Sequence, residues 1–172
     1  MLELVGAGEV SPSAAQVAEV AGVGLRSVFR HFQDMDALYR EMGEIIAASV
    51  LPIILAPPAG EGWKDRLRDI ATRRAQVFEA IMPYRISASL KRFQSDFLMQ
   101  DYRRLVHLEG QTLEAHLPEG VKADTERRRG LIVILSFQTW RLLRHDQHLP
   151  EEDAVAVVAR LLEDAMAHLP DA

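Results

Sequence analysis

Arg26, Ser27, Arg30 and His31 are the residues of this 172-residue chain whose types and spacing suit a definite chemistry. Leu25, Val28, Phe29 and Phe32 stand at i, i+3, i+4 and i+7 and make one apolar stripe of a short helix. The two arginines, the serine and the histidine then face outward. A guanidinium can donate a forked pair of hydrogen bonds to guanine O6 and N7 or hold a phosphate, and a serine hydroxyl can add a bond to either. Such a helix, packed behind and cationic in front, fits the major groove of DNA. Periodicity alone equally describes an ordinary helical hairpin with a solvated polar face.

The elements that must hold this helix precede it directly. Ala14, Val17, Ala18 and Ala21 repeat the same apolar spacing, and Ser13 with Gln16 has the form of a capping box at the start of a first helix. Ser11-Pro12 is a competing start, with proline at the first helical position. Gly22-Val23-Gly24 supplies a tight turn in which a glycine takes positive φ and Val23 is expected to tuck between the helices.

The run from Val17 to Phe32, followed by Asp36-Ala37-Leu38, resembles the DNA-binding region of the TetR family of bacterial transcriptional regulators. The resemblance implies a homodimer with a three-helix head and a larger helical domain. That domain would bind a small-molecule effector and thereby release a pseudo-palindromic double-stranded DNA operator, as a repressor does. Carried over position by position, it implies DNA contacts at Ser13, Gly24, Leu25, Arg26, Ser27, Phe29, Arg30 and His31, with Asp36, Ala37 and Leu38 opening the connecting helix. It implies no cofactor. Two positions depart from the pattern, because Phe29 stands where tyrosine is common and Met35 where lysine is common. Only Leu2 to Ala7 are placed to supply the first helix of the head, so the head is expected to be short, either naturally or because Met1 is internal to a longer chain.

The rest of the chain reads as helix, giving an all-α fold of about eight helices. Breaks are expected at Gly22–Gly24, Pro52–Gly62, Pro83, Pro118–Lys122 and Pro150, with Ala56 to Gly62 the clearest linker. The expected organisation is a head with connecting helix at 1–50 and a regulatory and dimerisation domain at 51–172. Gly130 to Trp140 is apolar nearly all round and should be buried on two sides, one of them by a partner subunit. Glu151 to Leu169 forms an amphipathic last helix. The expected dimer interface therefore uses Leu131, Ile134, Gln138, Val155, Val158, Leu162 and Ala165. Phe78, Met82, Phe97, Tyr102 and Trp140 are candidates to line a ligand cavity, against the simpler reading of plain core.

Composition excludes several classes. Zero cysteines leave no disulfide scaffold, thiolate metal site or cysteine nucleophile. No glycine-rich phosphate loop, Gly-x-Ser-x-Gly elbow or His-Glu-x-x-His pair occurs, so an enzyme is not expected. His145 and His148 beside Asp146 lack the spacing of a metal triad, and no metal is expected. The N-terminus lacks a secretory pattern and no apolar run is long enough for a membrane span, which predicts a cytoplasmic protein without membrane contact. The net charge of -5 decides little, since a small basic face can contact DNA within an acidic protein. The alternative reading is a dimeric ligand-binding or interaction protein whose short head holds no operator.

Overall fold

Apolar spacings of three and four produce helix wherever they occur in this chain. The structure, a computed structural model, describes residues 1–32 and 34–170. The described residues form α1 (Leu2–Gly6), α2 (Ala14–Val20), α3 (Leu25–His31), α4 (Met35–Leu55), α5 (Trp63–Lys91), α6 (Asp96–Glu114), α7 (Glu119–Ala123), α8 (Thr125–Ile134), α9 (Phe137–Arg141) and α10 (Glu151–Met166). A π-helical turn, Leu142–Asp146, follows α9, and no strand occurs among the described residues. The fold is all-α, as the periodicity predicts.

One expected break is absent, and another starts later than expected. Pro83 lies inside α5, while Pro52 lies inside α4, which runs on to Leu55 before the linker of residues 56–62. A proline removes one backbone donor and crowds the preceding turn, at a cost of about 3 kcal/mol. In the 29-residue α5, buried Phe78 before Pro83 and Ser87 after it keep both flanks packed, which offsets that cost. Conversely, the run from Gly130 to Trp140 is two helices. Ser136 leaves the helical conformation and its side chain caps α9 by accepting from the Thr139 N–H at 3.2 Å. A serine competes for backbone donors in this way and so ends one helix while starting the next.

The chain divides into two units whose boundaries interleave: Met1–Pro52 with Ala80–Arg104, and Ile53–Glu79 with the chain from Leu105 on. A single cut near residue 50 does not describe this, because α5 and α6 each give one end to each unit.

In the first unit, Val17, Ala18, Val28 and Leu38 form one buried cluster, flanked by Met1, Leu4, Phe32 and Met35. Val5, Tyr39, Met42 and Leu98 form a second, flanked by Tyr84, Ala88 and Phe97. The five-residue α1 contributes Val5, which is 1% exposed, so even this short helix is fixed by packing. The connecting helix α4 starts with the Ala37 N–H donating to the Asp34 carboxylate at 2.9 Å, a side-chain cap. Three polar or cationic contacts then fasten α4 to α5 and α6. The Tyr39 and Ser87 hydroxyls share a buried hydrogen bond of 3.0 Å, the Ser95 hydroxyl donates to the Asp36 carboxylate at 2.9 Å, and the Arg40 guanidinium lies 4.5 Å from the Phe97 ring centre.

Burial raises the Tyr39 phenol above its ordinary value, against the opposing pull of Ser87. Tyr39→Phe removes one partner of a fully buried hydroxyl, and the expected loss of stability is about 1–3 kcal/mol, measured by denaturant unfolding. Tyr39→Phe combined with Ser87→Ala should cost less than the two single losses added together, since no hydroxyl is then left without its partner.

In the second unit, Leu67, Leu113, Leu131, Leu162 and Met166 are at most 1% exposed. The last helix α10 buries Ala154, Val158, Leu162 and Met166 along one side. Polar groups tie the helices across this core. Arg74 donates from Nη1 to the Leu135 carbonyl at 2.7 Å, and from Nη2 to the Glu109 carbonyl at 2.6 Å and the Thr112 hydroxyl at 3.1 Å. Glu79 accepts from the Trp140 indole N–H at 2.7 Å and from two Arg144 nitrogens at 2.8 and 3.0 Å. The bonds from Arg144, more than those from Trp140, hold the Glu79 carboxyl below the ordinary glutamate value despite partial burial.

The sign of the pH effect follows. A carboxylate whose folded pKa is depressed adds stability above its unfolded pKa of about 4.3 and loses it as pH falls through the lower folded value. Glu79→Gln should therefore be less stable at pH 7 and show a flatter decline below about pH 4 than the parent, as read by urea unfolding across pH.

Candidate nucleic-acid interface

The hairpin of α2 and α3 is built by local rules that the sequence carries openly. Ser13, and not Ser11, caps α2, because the Ser13 N–H donates to the Gln16 side-chain oxygen at 2.8 Å and the Gln16 N–H returns to the Ser13 hydroxyl at 3.3 Å. Pro12 is buried just before it. At the other end the Val23 N–H reaches the Ala18 carbonyl at 3.0 Å and the Gly22 N–H reaches the Glu19 carbonyl at 3.1 Å. This nested pair ends α2 with Gly22 at φ 65°, a left-handed conformation that favours glycine.

The turn differs from expectation in one respect. Val23 is 46% exposed and is not tucked between the helices, because Val17, Ala18 and Val28 already fill that contact. Ala21 is likewise exposed.

Helix α3 has seven residues, with Val28 as its buried anchor and Phe32 packed partly against the same cluster. Leu25 and Phe29, which the apolar spacing assigns to the packed stripe, are 45% and 49% exposed. A helix of two turns against a seven-residue neighbour can bury only the narrow line that meets it, so both side chains lie outside. Arg26, Arg30 and His31 are exposed beside them, and Ser27 is half-buried. Of the residues expected to touch DNA, Gly24, Leu25, Arg26, Phe29, Arg30 and His31 thus share α3 and its cap as an open surface, with Ser13 exposed at the start of α2. The apolar spacing alone reads these two side chains as core, whereas the family resemblance places them at the DNA face, since spacing does not reveal how much of a stripe the neighbour covers.

Chemically, this face offers two guanidinium groups one helical turn apart, an imidazole next to the second and a phenyl ring. It can donate to base edges or phosphates and touch a thymine methyl or a sugar. It carries no acid, since Glu19 and Asp34 lie on the flanking segments. Among the described residues no group of three His, Asp or Glu side chains is placed to hold a metal ion.

The five candidates for a ligand cavity are distributed over both units. Phe78 and Trp140 belong to the second, where both are buried and Phe78 meets Phe137 edge-on with ring centres 5.5 Å apart. The space beside them is only about 10 Å³. That is about the room of one water molecule. Met82, Phe97 and Tyr102 belong to the first unit. There Phe97 is covered by Arg40, and Tyr102 stacks under the Arg92 guanidinium at 4.4 Å.

The expected interface residues also separate. Leu131, Val158 and Leu162 are buried within their own chain, Ile134 and Gln138 are half-buried, and Val155 and Ala165 are exposed. The buried three face their own core because α8 and α10 pack on each other. The apolar side chains left outside on these last elements are Val133, Leu142, Val155 and Leu161. No helix among the described residues is long and apolar enough to cross a membrane. No family model, curated protein or solved structure matches the chain.

Proposed function

We propose that this protein is a sequence-specific DNA-binding transcriptional regulator of the TetR type that acts as a homodimeric repressor released by a small molecule. The observation that supports this reading above the others is the exposed cationic face of α3, anchored through Val28 and preceded by a capped helix and a glycine turn. Arg26 and Arg30 of each subunit would enter successive major grooves of a pseudo-palindrome. Val133, Leu142, Val155 and Leu161, exposed on the last elements, are the apolar surface available for a second copy. The three contacts that fasten α4 to α5 and α6 give a ligand-induced shift of those helices a path to the head.

The test is selection from a random double-stranded DNA library by the purified protein at moderate salt. A recovered pseudo-palindrome with half-sites about one helical turn apart supports the reading. The rival, a dimeric ligand-binding or interaction protein, is favoured by the charge of residues 1–42, where three arginines face six acids. A folded dimer that enriches no sequence would decide for the rival.

A further inference from the structure

The start of α5 and the segment that follows α6 border an open cleft of about 400 Å³ within the second unit. That volume lies in the range of small-molecule sites, about 300–1,000 Å³. It is much larger than the space beside Phe78 and Trp140. Its apolar lining includes Trp63 and Leu117, both 4% exposed, so the cleft has a rigid floor. The Trp63 indole N–H is committed to the Pro170 carbonyl at 3.0 Å, which fixes the ring in place.

Two half-buried side chains supply polarity. The Arg66 Nη1 donates to the backbone oxygen of Glu61 at 3.1 Å, and among the described residues no carboxylate pairs with this guanidinium. That sets Arg66 apart from Arg68, Arg73 and Arg144, each of which is neutralised by an acid. His116 lies near enough to feel the Arg66 charge. Burial first, and Arg66 second, pull its pKa below the ordinary histidine value, so at pH 7 it is a neutral imidazole with one N–H to give.

One fixed cation, one neutral donor and an apolar floor, with the exposed Glu61 also in the lining, match a particular ligand. A guanidinium binds a carboxylate through two parallel bonds, and with the Glu61 carboxylate in the same lining a phosphate dianion meets more repulsion than a monoanion. We infer that this cleft binds a small organic monocarboxylate, with Arg66 taking the carboxylate, His116 adding a hydrogen bond, and Trp63 and Leu117 facing the apolar body. The inference stands on the cleft alone and does not require that the protein bind DNA.

Benzoate is the probe, titrated into the full chain while the histidine ring signals are followed by NMR at several pH values. Saturable binding is expected, with the His116 midpoint moving upward as the bound carboxylate favours the imidazolium. Arg66→Gln should weaken benzoate at least tenfold. Ala115→Phe, which fills the mouth of the cleft from an exposed position, should abolish binding while leaving Arg66 in place. Inorganic phosphate should compete poorly. Absence of saturation, equal binding by Arg66→Gln or Ala115→Phe, or phosphate binding as well as benzoate would each overturn the assignment.

Discussion

Arg30→Ala is expected to lower the affinity for the selected DNA by about ten- to a hundredfold per half-site. A bidentate arginine–guanine pair is worth about 1–3 kcal/mol of discrimination, and each 1.4 kcal/mol is tenfold. In a symmetric dimer the two half-site losses multiply. The side chain is exposed on α3 and has no hydrogen bond or ion pair among the described residues that holds the hairpin, so the substitution should leave unfolding unchanged within about 0.5 kcal/mol. Electrophoretic or fluorescence titration against the pseudo-palindrome and a scrambled duplex separates the possible roles. A loss confined to the palindrome assigns Arg30 to base edges. A uniform loss with a salt slope lower by about 1 assigns it to a phosphate. Unchanged affinity for both duplexes removes Arg30 from the interface and, if Arg26→Ala behaves alike, removes α3 as the reading helix.

The largest effect on stability is expected at Arg74. Its guanidinium reaches the carbonyls of Leu135 and Glu109 and the Thr112 hydroxyl, which joins α5 to the end of α6 and to the junction between α8 and α9. Burial pulls its pKa down, while the Glu109 charge opposes that pull. Leu135 is the residue where α8 ends, so its carbonyl has lost its helical partner and depends on Arg74. Arg74→Ala leaves the Leu135 carbonyl without this donor, takes one bond each from the Glu109 carbonyl and the Thr112 hydroxyl, and opens space, at an expected cost of about 3 kcal/mol. For a chain of this size that corresponds to a melting point lower by roughly 10 °C. Arg74→Lys should recover only part of it, because an ammonium cannot span two carbonyls and a hydroxyl in the geometry of the planar fork. A loss of stability below about 1 kcal/mol, measured by urea unfolding, would mean that water replaces the guanidinium at these carbonyls.

Both experiments rest on features of different legibility. The α2–α3 hairpin is nearly complete in the sequence, because its signals are local. A serine and a glutamine three residues apart, a glycine at the left-handed position and an apolar residue every third or fourth place act within one or two helical turns. The exposure of Arg26 and Arg30 follows from that spacing. The all-helical class is legible for the same reason.

The tertiary structure decided what depends on distant neighbours. Whether Leu25 and Phe29 are core or surface is set by the width of the contact with α2, and they came out exposed. Whether Pro83 ends a helix is set by the packing on either side of it, and α5 runs through. The apolar stripe of α10 could have met a second subunit, but Val158 and Leu162 face their own core. Arg74 and Glu79 look like ordinary surface charges in the sequence, and their partners stand 35 to 65 positions away, at Glu109, Leu135, Trp140 and Arg144. The cleft between Trp63 and His116 likewise joins residues with no common motif. Sequence by itself determined the helices and the face of one hairpin, since hydrogen bonding and side-chain periodicity act over a few residues. Only the tertiary structure decided which faces are covered, because burial is a property of the pair of surfaces that meet.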